Sequence, residues 1–226
     1  MILIKGFLYT TVSIVILVSA HFMQNSKIIT YLPLGDSYTI GTGASKDEAW
    51  PALLAEHLNA NKIRCKLLAN PARNGFTTQD LIAIELPQVK QLNPDFVTLL
   101  IGVNDWVQGV SKASFTKNLV FILDEVERQI PDRKKLLLVT IPDFGVTRTG
   151  KNYSGGRNIS DGISEFNTVI KEEGRKRHLT VVDIFEISKK MGSDNSLVAG
   201  DGLHPSAKEY AVWETIIFPE ALRLLK

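Results

Sequence analysis

Between Lys27 and Lys226 the apolar positions follow two alternating patterns. Short apolar runs of strand length are separated by longer stretches in which apolar residues return every three or four positions. The runs predict five strands, at Lys27 to Leu34, Ile63 to Ala69, Phe96 to Ile101, Lys135 to Ile141 and Leu179 to Ile184. The third is apolar apart from Thr98 and reads as a central strand covered on both faces. The first helical stretch carries Trp50, Leu53, Leu54 and Leu58. It is opened by Ser45-Lys46-Asp47-Glu48, a capping-box pattern, and has Pro51 in its early turns. A second, opened by Thr77 and Asp80, carries Leu81, Ile82, Ile84 and Val89 to about Leu92, with a kink at Pro87. Ser111 to Ile130 turns Phe115, Leu119, Ile122, Leu123 and Val126 inward. A fourth helix covers Ile159 to Lys176, and the last opens at Pro205, with Pro219 dividing it before Leu224.

Strands alternating with helices imply a mostly parallel sheet with helices on both faces and right-handed crossovers. No internal repeat, low-complexity segment or shift in composition marks a boundary, so residues 27–226 read as one α/β domain. A long connection, Pro142 to Arg157, is rich in Gly, Thr and Asn; segments of this kind inside compact domains are commonly functional or disordered. Its large apolar residues are Phe144, Val146 and Tyr153, which argues against a deep fatty-acyl channel there.

The composition bears on this picture in four places. With 226 residues, 44% hydrophobic and 22% charged, the chain has ordinary globular values and enough length for a sizeable core. A formal net charge of +2, with its basic residues dispersed, gives no footprint for a nucleic-acid partner. The single cysteine, Cys65, excludes an intramolecular disulfide and a cysteine-based metal site; its alternation with Ile63 and Leu67 reads as a small core residue on a strand. At the amino terminus, Lys5 precedes an uncharged apolar run from Gly6 to Met23, with Val18-Ser19-Ala20 near its end. Residues 1–23 therefore read as a signal peptide, with a mature start near His21, or as a retained membrane anchor. The expectation is export to the periplasm or the extracellular space, with membrane association through residues 1–23 as the other outcome.

Candidate chemistry lies in the turns. The first apolar run stops at Gly35-Asp36-Ser37 and passes into a Gly-rich loop, which delivers a serine to the carboxyl end of a strand, where open α/β folds place ligands. Asp201-Gly202-Leu203-His204-Pro205 sets a carboxylate three residues before a histidine, a spacing that lets Asp201 reach one imidazole nitrogen while the other faces Ser37. A plain Asp-Gly turn with a capping histidine uses the same residues. Asn104, in a turn after the third strand, carries an amide donor, although an Asx turn is the commoner role. Gly75 offers a backbone N–H, or simply a residue for positive φ. Serine acyl transfer needs these parts together: a hydroxyl nucleophile, an oriented base, and donors aimed at the oxyanion. No strand is followed by the Gly-x-x-x-x-Gly-Lys pattern of a phosphate loop.

Taken together, Gly35-Asp36-Ser37, Gly75, Gly102-Val103-Asn104-Asp105 and Asp201-Gly202-Leu203-His204-Pro205 resemble the four blocks of the SGNH/GDSL serine hydrolases, in order and over the span from Ile28 to the carboxyl terminus. Trp50-Pro51 and Asn93-Pro94-Asp95 also look like the bacterial lysophospholipase/thioesterase branch. The name-giving motif has Leu after the serine, where this chain has Tyr38, and the Arg73-Asn74-Gly75-Phe76 loop does not assign a subfamily. The resemblance implies a three-layer αβα flavodoxin-like fold with a five-stranded mostly parallel sheet. It also implies Ser37 as nucleophile, His204 as base, Asp201 as orienting carboxylate, and an oxyanion hole of Ser37 N–H, Gly75 N–H and the Asn104 side chain. No metal or organic cofactor is implied. The expected activity is hydrolysis of a small-molecule, lipid or carbohydrate ester by a monomer. An acyltransferase, a carbohydrate O-acetyl esterase with the same triad, and a catalytically silent binding module stay open. Trp106 and Val107, after Asn104, fit either an apolar wall of the site or the core.

Overall fold

The computed structural model describes residues 27–226; the segment expected to be a signal or anchor, 1–23, lies outside them. The chain runs β1 (Ile29–Gly35), α1 (Ser37–Ile40), α2 (Trp50–Ala60), β2 (Cys65–Leu67), α3 (Thr78–Asp80), a π-helical turn (Leu81–Glu85), α4 (Leu86–Leu92) and β3 (Phe96–Leu100). It continues through α5 (Val103–Val107), α6 (Lys112–Gln129), β4 (Leu136–Val139), α7 (Ile159–Arg177), β5 (Thr180–Val182), α8 (Phe185–Ser188) and α9 (Ala207–Leu225).

The five strands form one sheet in the order β2-β1-β3-β4-β5, and every neighbouring pair is parallel. All carboxyl ends therefore share one edge. From β1 the chain steps outward to β2 and then crosses back to β3, so the winding reverses between β1 and β3. A crevice opens at such a reversal. The register sets Gly35 opposite Leu100, so the turns after β1 and β3 leave the sheet side by side. Helix α2 packs on α9; on the other layer α4 meets α6, and α6 meets α7.

The core follows the apolar pattern. Tyr31, Leu32, Leu34, Phe96, Val97 and Leu100 are wholly buried in β1 and β3. Thr98, the polar exception, is 2.8 Å from the Tyr31 hydroxyl, so neither group is left unpaired. Phe115, Leu119, Ile122, Leu123 and Val126 of α6 all face inward. Side chains of Ser111, Asn158 and Ser206 cap α6, α7 and α9 by accepting the N–H of Ser114, Asp161 and Glu209.

Three expectations need correction. The Ser45–Glu48 capping box is formed, but it caps a 3-10 turn at Lys46–Glu48; Ala49 (ψ 137°) is extended and α2 starts afresh at Trp50. Pro87 does not simply kink its helix, because the chain widens into the π turn just ahead of it, where the Leu86 N–H reaches back to the Leu81 carbonyl. A proline ring excludes the carbonyl four residues back, and one wider turn relieves that clash. Pro219 does not divide α9, which stays helical from Ala207 to Leu225 because Ile217, Ala221 and Leu225 on its buried face hold both halves in place.

Candidate active site

Ser37 is the first residue of α1, directly after β1. The approach is tight: a Cβ on Gly35 would stand 2.2 Å from the Leu100 carbonyl oxygen, so only glycine lets β1 turn beside β3. Asp36 caps α1, its Oδ1 accepting the Tyr38 N–H at 3.0 Å. The Ser37 N–H, at a helix start, has no intrahelical acceptor.

Asp201 and His204 lie in the turn before α9. Asp201 Oδ2 is 2.6 Å from His204 Nδ1, and Oδ1 accepts the N–H groups of Leu203 (2.8 Å) and His204 (3.0 Å). Burial pushes the Asp201 carboxyl up, but the hydrogen bonds from the His204 ring and the two backbone N–H groups outweigh it and leave the acid below its ordinary value. The carboxylate is thus charged beside the imidazole. The turn is tied on both sides. The Thr149 N–H, from the long connection, donates to the Gly202 carbonyl, and the Ala199 N–H to that of His204.

The imidazole reaches α1 through Tyr38, the residue after Ser37. Its ring lies 6.0 Å from that of His204, edge to face, and 5.8 Å from Trp213 of α9. The Tyr210 hydroxyl, also from α9, donates to the Thr42 carbonyl just beyond α1. The structure thus brings Ser37 and the Asp201–His204 pair to one edge of the sheet.

Gly75 and Asn104 form a second unit. Gly75 has φ +82°, and a Cβ there would meet nothing within 4 Å, so the residue is needed for its backbone angle and its outer face is open. Asn104 Nδ2 donates to the Phe76 carbonyl at 2.9 Å. This is a bridge to the Gly75 loop rather than an Asx turn, and it leaves the second amide hydrogen of Asn104 available. Asp105 reinforces the bridge from a fully buried position by accepting the Thr78 N–H at 2.9 Å and the Thr78 hydroxyl. The Thr42 hydroxyl, in turn, donates to Asn74, joining the Gly75 loop to the loop after α1. Beside them opens a cleft of about 520 Å³ lined by Ile40, Ala69 to Asn74 and Gln88.

Trp106 is core, not wall. It is 5% exposed, meets Phe144 edge to face at 6.1 Å, and fills the space above Gly162, where a Cβ would come within 1.8 Å of its Nε1. Sequence reasoning passed over two residues at this edge. Arg157 ends the long connection by donating to the carbonyls of Trp106 (2.7 Å) and Val107 (3.0 Å), with its guanidinium 4.0 Å over the Trp106 ring. Glu85, from the π turn, accepts the Gly35 N–H at 3.0 Å. The signal for Glu85 was a charged residue between Ile84 and Leu86 in an apolar stretch; Arg157 gave none. Among the described residues, no cluster of three or more His, Cys, Asp or Glu side chains is arranged to hold a metal ion.

The profile of the GDSL-like lipase/acylhydrolase family matches residues 34–212, from the end of β1 into α9. The chain belongs to this family. A multidomain esterase of Ruminococcus flavefaciens is 30% identical over 125 residues, 54% of this chain and 15% of that protein. The thioesterase 1/protease 1/lysophospholipase L1 of Escherichia coli K12 is 32% identical over 98 residues, 43% of this chain and 45% of that one. The chain thus spans less than half the length of either curated relative. Among solved structures, a lipase/acylhydrolase from Enterococcus faecalis superposes with a TM-score of 0.71 over 88% of this chain and 98% of that one, at 24% identity. At that identity the likeness shows the fold, the flavodoxin-like arrangement of the family.

Proposed function

We propose that this member of the GDSL-like family hydrolyses carboxylic esters through an acyl-enzyme, with Ser37 as nucleophile, His204 as base and Asp201 as the carboxylate that orients it. The observation that carries the reading is the Asp201–His204 pair, 2.6 Å apart, standing with its imidazole against Tyr38, the neighbour of Ser37. In the first half-reaction His204 Nε2 takes the Ser37 proton as the hydroxyl oxygen attacks the acyl carbon. Negative charge gathers on the carbonyl oxygen, which the Ser37 N–H, the Gly75 N–H and the remaining Asn104 amide hydrogen receive. The tetrahedral intermediate collapses, the alcohol leaves with the proton from His204, and water repeats the sequence to free the acid. Asp201 keeps Nδ1 protonated throughout, so that Nε2 has its lone pair directed outward.

The surroundings favour short acyl groups. Phe144 of the long connection is buried, Val146 is half-buried and Tyr153 points to solvent, so that connection lines no deep apolar channel. The cleft along Ala69 to Asn74 is polar at Asn70, Arg73 and Asn74. The experiment is hydrolysis of p-nitrophenyl acetate, butyrate and octanoate by wild type and Ser37→Ala. Turnover that needs Ser37 and falls from acetate to octanoate is expected. Absence of Ser37-dependent turnover on all three, with no labelling by a fluorophosphonate, overturns the reading. Faster product release with an added alcohol, and formation of its ester, would reassign the acceptor from water to a hydroxyl. The reading extends to location: residues 1–23 direct export. Protein recovered outside the cytoplasm with a start near His21 supports this; an intact Met1 in the cytosol overturns it.

A further inference from the structure

The helix that follows Gly75 inverts its own polarity. Between Leu81 and Glu85 it widens into the π turn, and the two residues before Leu86 exchange the environments their chemistry predicts. Ile84 is 38% exposed, whereas Glu85 is fully buried. Interior carboxyl groups cost stability unless they are partnered. Across the sheet edge, Glu85 Oε2 accepts the Gly35 N–H at 3.0 Å, while Oε1 has no partner among the described residues. Gly35 is the last residue of β1, two before Ser37. The intervening Asp36 is also fully buried, with Oδ1 on the Tyr38 N–H and Oδ2 without a partner among the described residues. Glutamine would serve the Gly35 N–H equally well, so what this position requires is an acceptor for β1 rather than a charge. Wide turns of this kind occur often at functional sites.

We propose that Glu85 is a positioning residue for Ser37: its carboxyl clamps the Gly35 N–H and so fixes how the Gly35–Ser37 turn leaves β1. The proposal rests on the reading of Ser37 as the nucleophile. The groups that face this clamp are acids and phenols. Asp36 of the β1–α1 turn acts on Glu85; Asp105 of α5 acts on Asp36; Tyr38 of α1 and Tyr210 of α9 face Asp36 in turn. No cation is among them. Burial raises both acids; the charge of Asp105 adds to Asp36, which is pushed up to about 8, and that of Asp36 adds to Glu85. As pH rises through that range, charge enters the buried turn and loosens it.

The test compares Glu85→Gln and Glu85→Ala with wild type, and with Ser37→Ala as the control for the nucleophile itself. The readouts are kcat and KM on p-nitrophenyl acetate against pH, and hydrogen exchange at the Gly35 amide by NMR. Glutamine keeps an acceptor for Gly35. We expect kcat within about threefold of wild type and a Gly35 amide as protected as in wild type. Alanine removes the acceptor and should lower kcat by about tenfold or more at little-changed KM, since small displacements of a reacting group are costly. The Gly35 amide should then exchange faster. A Gly35 amide as protected in Glu85→Ala as in wild type overturns the clamp, as does an equal loss of kcat in both variants. If the alanine variant does not fold, Glu85→Leu, which keeps the bulk and removes the acceptor, takes its place, and a Gly35 amide as protected there as in wild type overturns the clamp. Ser37→Ala turning over like wild type would sink the nucleophile reading alone, because the exchange readout does not depend on ester turnover.

Discussion

Asp201 spreads three donors over two oxygens, and the division of labour can be separated by one substitution. In Asp201→Asn the carbonyl oxygen can still accept the Leu203 and His204 N–H groups that Oδ1 accepts now. The amide nitrogen then faces His204 Nδ1, where a proton-bearing group forces the other tautomer and puts the hydrogen on Nε2. That nitrogen can no longer take a proton from Ser37. The expected result is a fall in kcat of about 10⁴ with little change in melting temperature. A variant within tenfold of wild type would remove Asp201 from the orienting role. Asn104 is read the same way. One amide hydrogen is held by the Phe76 carbonyl, which aims the side chain, and the other is the donor that the proposed mechanism directs at the oxyanion. Asn104→Ala should cut kcat by about 10²–10³. Near-normal turnover on p-nitrophenyl acetate would assign Asn104 to the loop bridge alone.

At the scale of elements, α5 carries Asn104 but is only five residues long, so its position depends on what clasps it. Arg157 takes its last carbonyls, Asp105 ties it to the start of α3, and Trp106 anchors it in the notch left by Gly162. Gly162→Ala improves a residue in the first turn of α7 by helix propensity, yet drives a methyl group to within 1.8 Å of Trp106 Nε1. Overpacking of this kind costs about 1–3 kcal/mol. The variant should melt at a lower temperature by circular dichroism and lose turnover as α5 shifts; a melting temperature equal to or above that of wild type would contradict the anchor. The apolar pattern gives away α6 and α9 but not these clasps. Periodicity reports burial rather than pairing, which is why the reading extended β4 to Ile141: that residue is wholly buried but stands beyond the ladder. Capping chemistry was readable at Thr77, where the helix follows at once, and misleading at Ser45, where Ala49 interrupts it. Ser37, Gly75, Asn104, Asp201 and His204 stood out because each falls in a break of the apolar pattern with its own local motif. Glu85 and Arg157 did not, because each acts on residues about fifty positions away, Gly35 and Trp106, and no local pattern encodes that distance.

At the scale of the whole molecule, acids held in the interior set how stability responds to pH. Burial pushes Asp36 from its ordinary 3.8 to about 8, and burial, only partly offset by the Trp213 Nε1–H that donates to it at 2.7 Å, pushes Glu209 from 4.5 to about 7. Both acids bind a proton more tightly in the folded chain than in the unfolded one. The stability they contribute is therefore fully present below pH about 4, and it drains away as pH rises through about 7 and 8. The opposite group, Asp194 at about 2 and the lowered Asp80, Asp95, Asp183 and Asp201, contributes above the ordinary carboxylate range and loses its effect only on stronger acidification. The two sets overlap in a window of mildly acidic pH, where the protein should be most stable. Each unit of separation is worth about 1.4 kcal/mol, so the alkaline slope is steep enough to measure. Thermal unfolding should give its highest midpoint near pH 5 and a progressive fall toward pH 8.5. Glu209 lies on α9, and Gln in its place keeps the Trp213 partner while removing the titration. Glu209→Gln should accordingly melt higher than wild type at pH 8.5 and equal to it at pH 5. A midpoint that climbs steadily from pH 5 to 8.5 would mean that both acids are already ionised in the folded chain, and that the interior around α1 and α9 admits charge more readily than its packing implies.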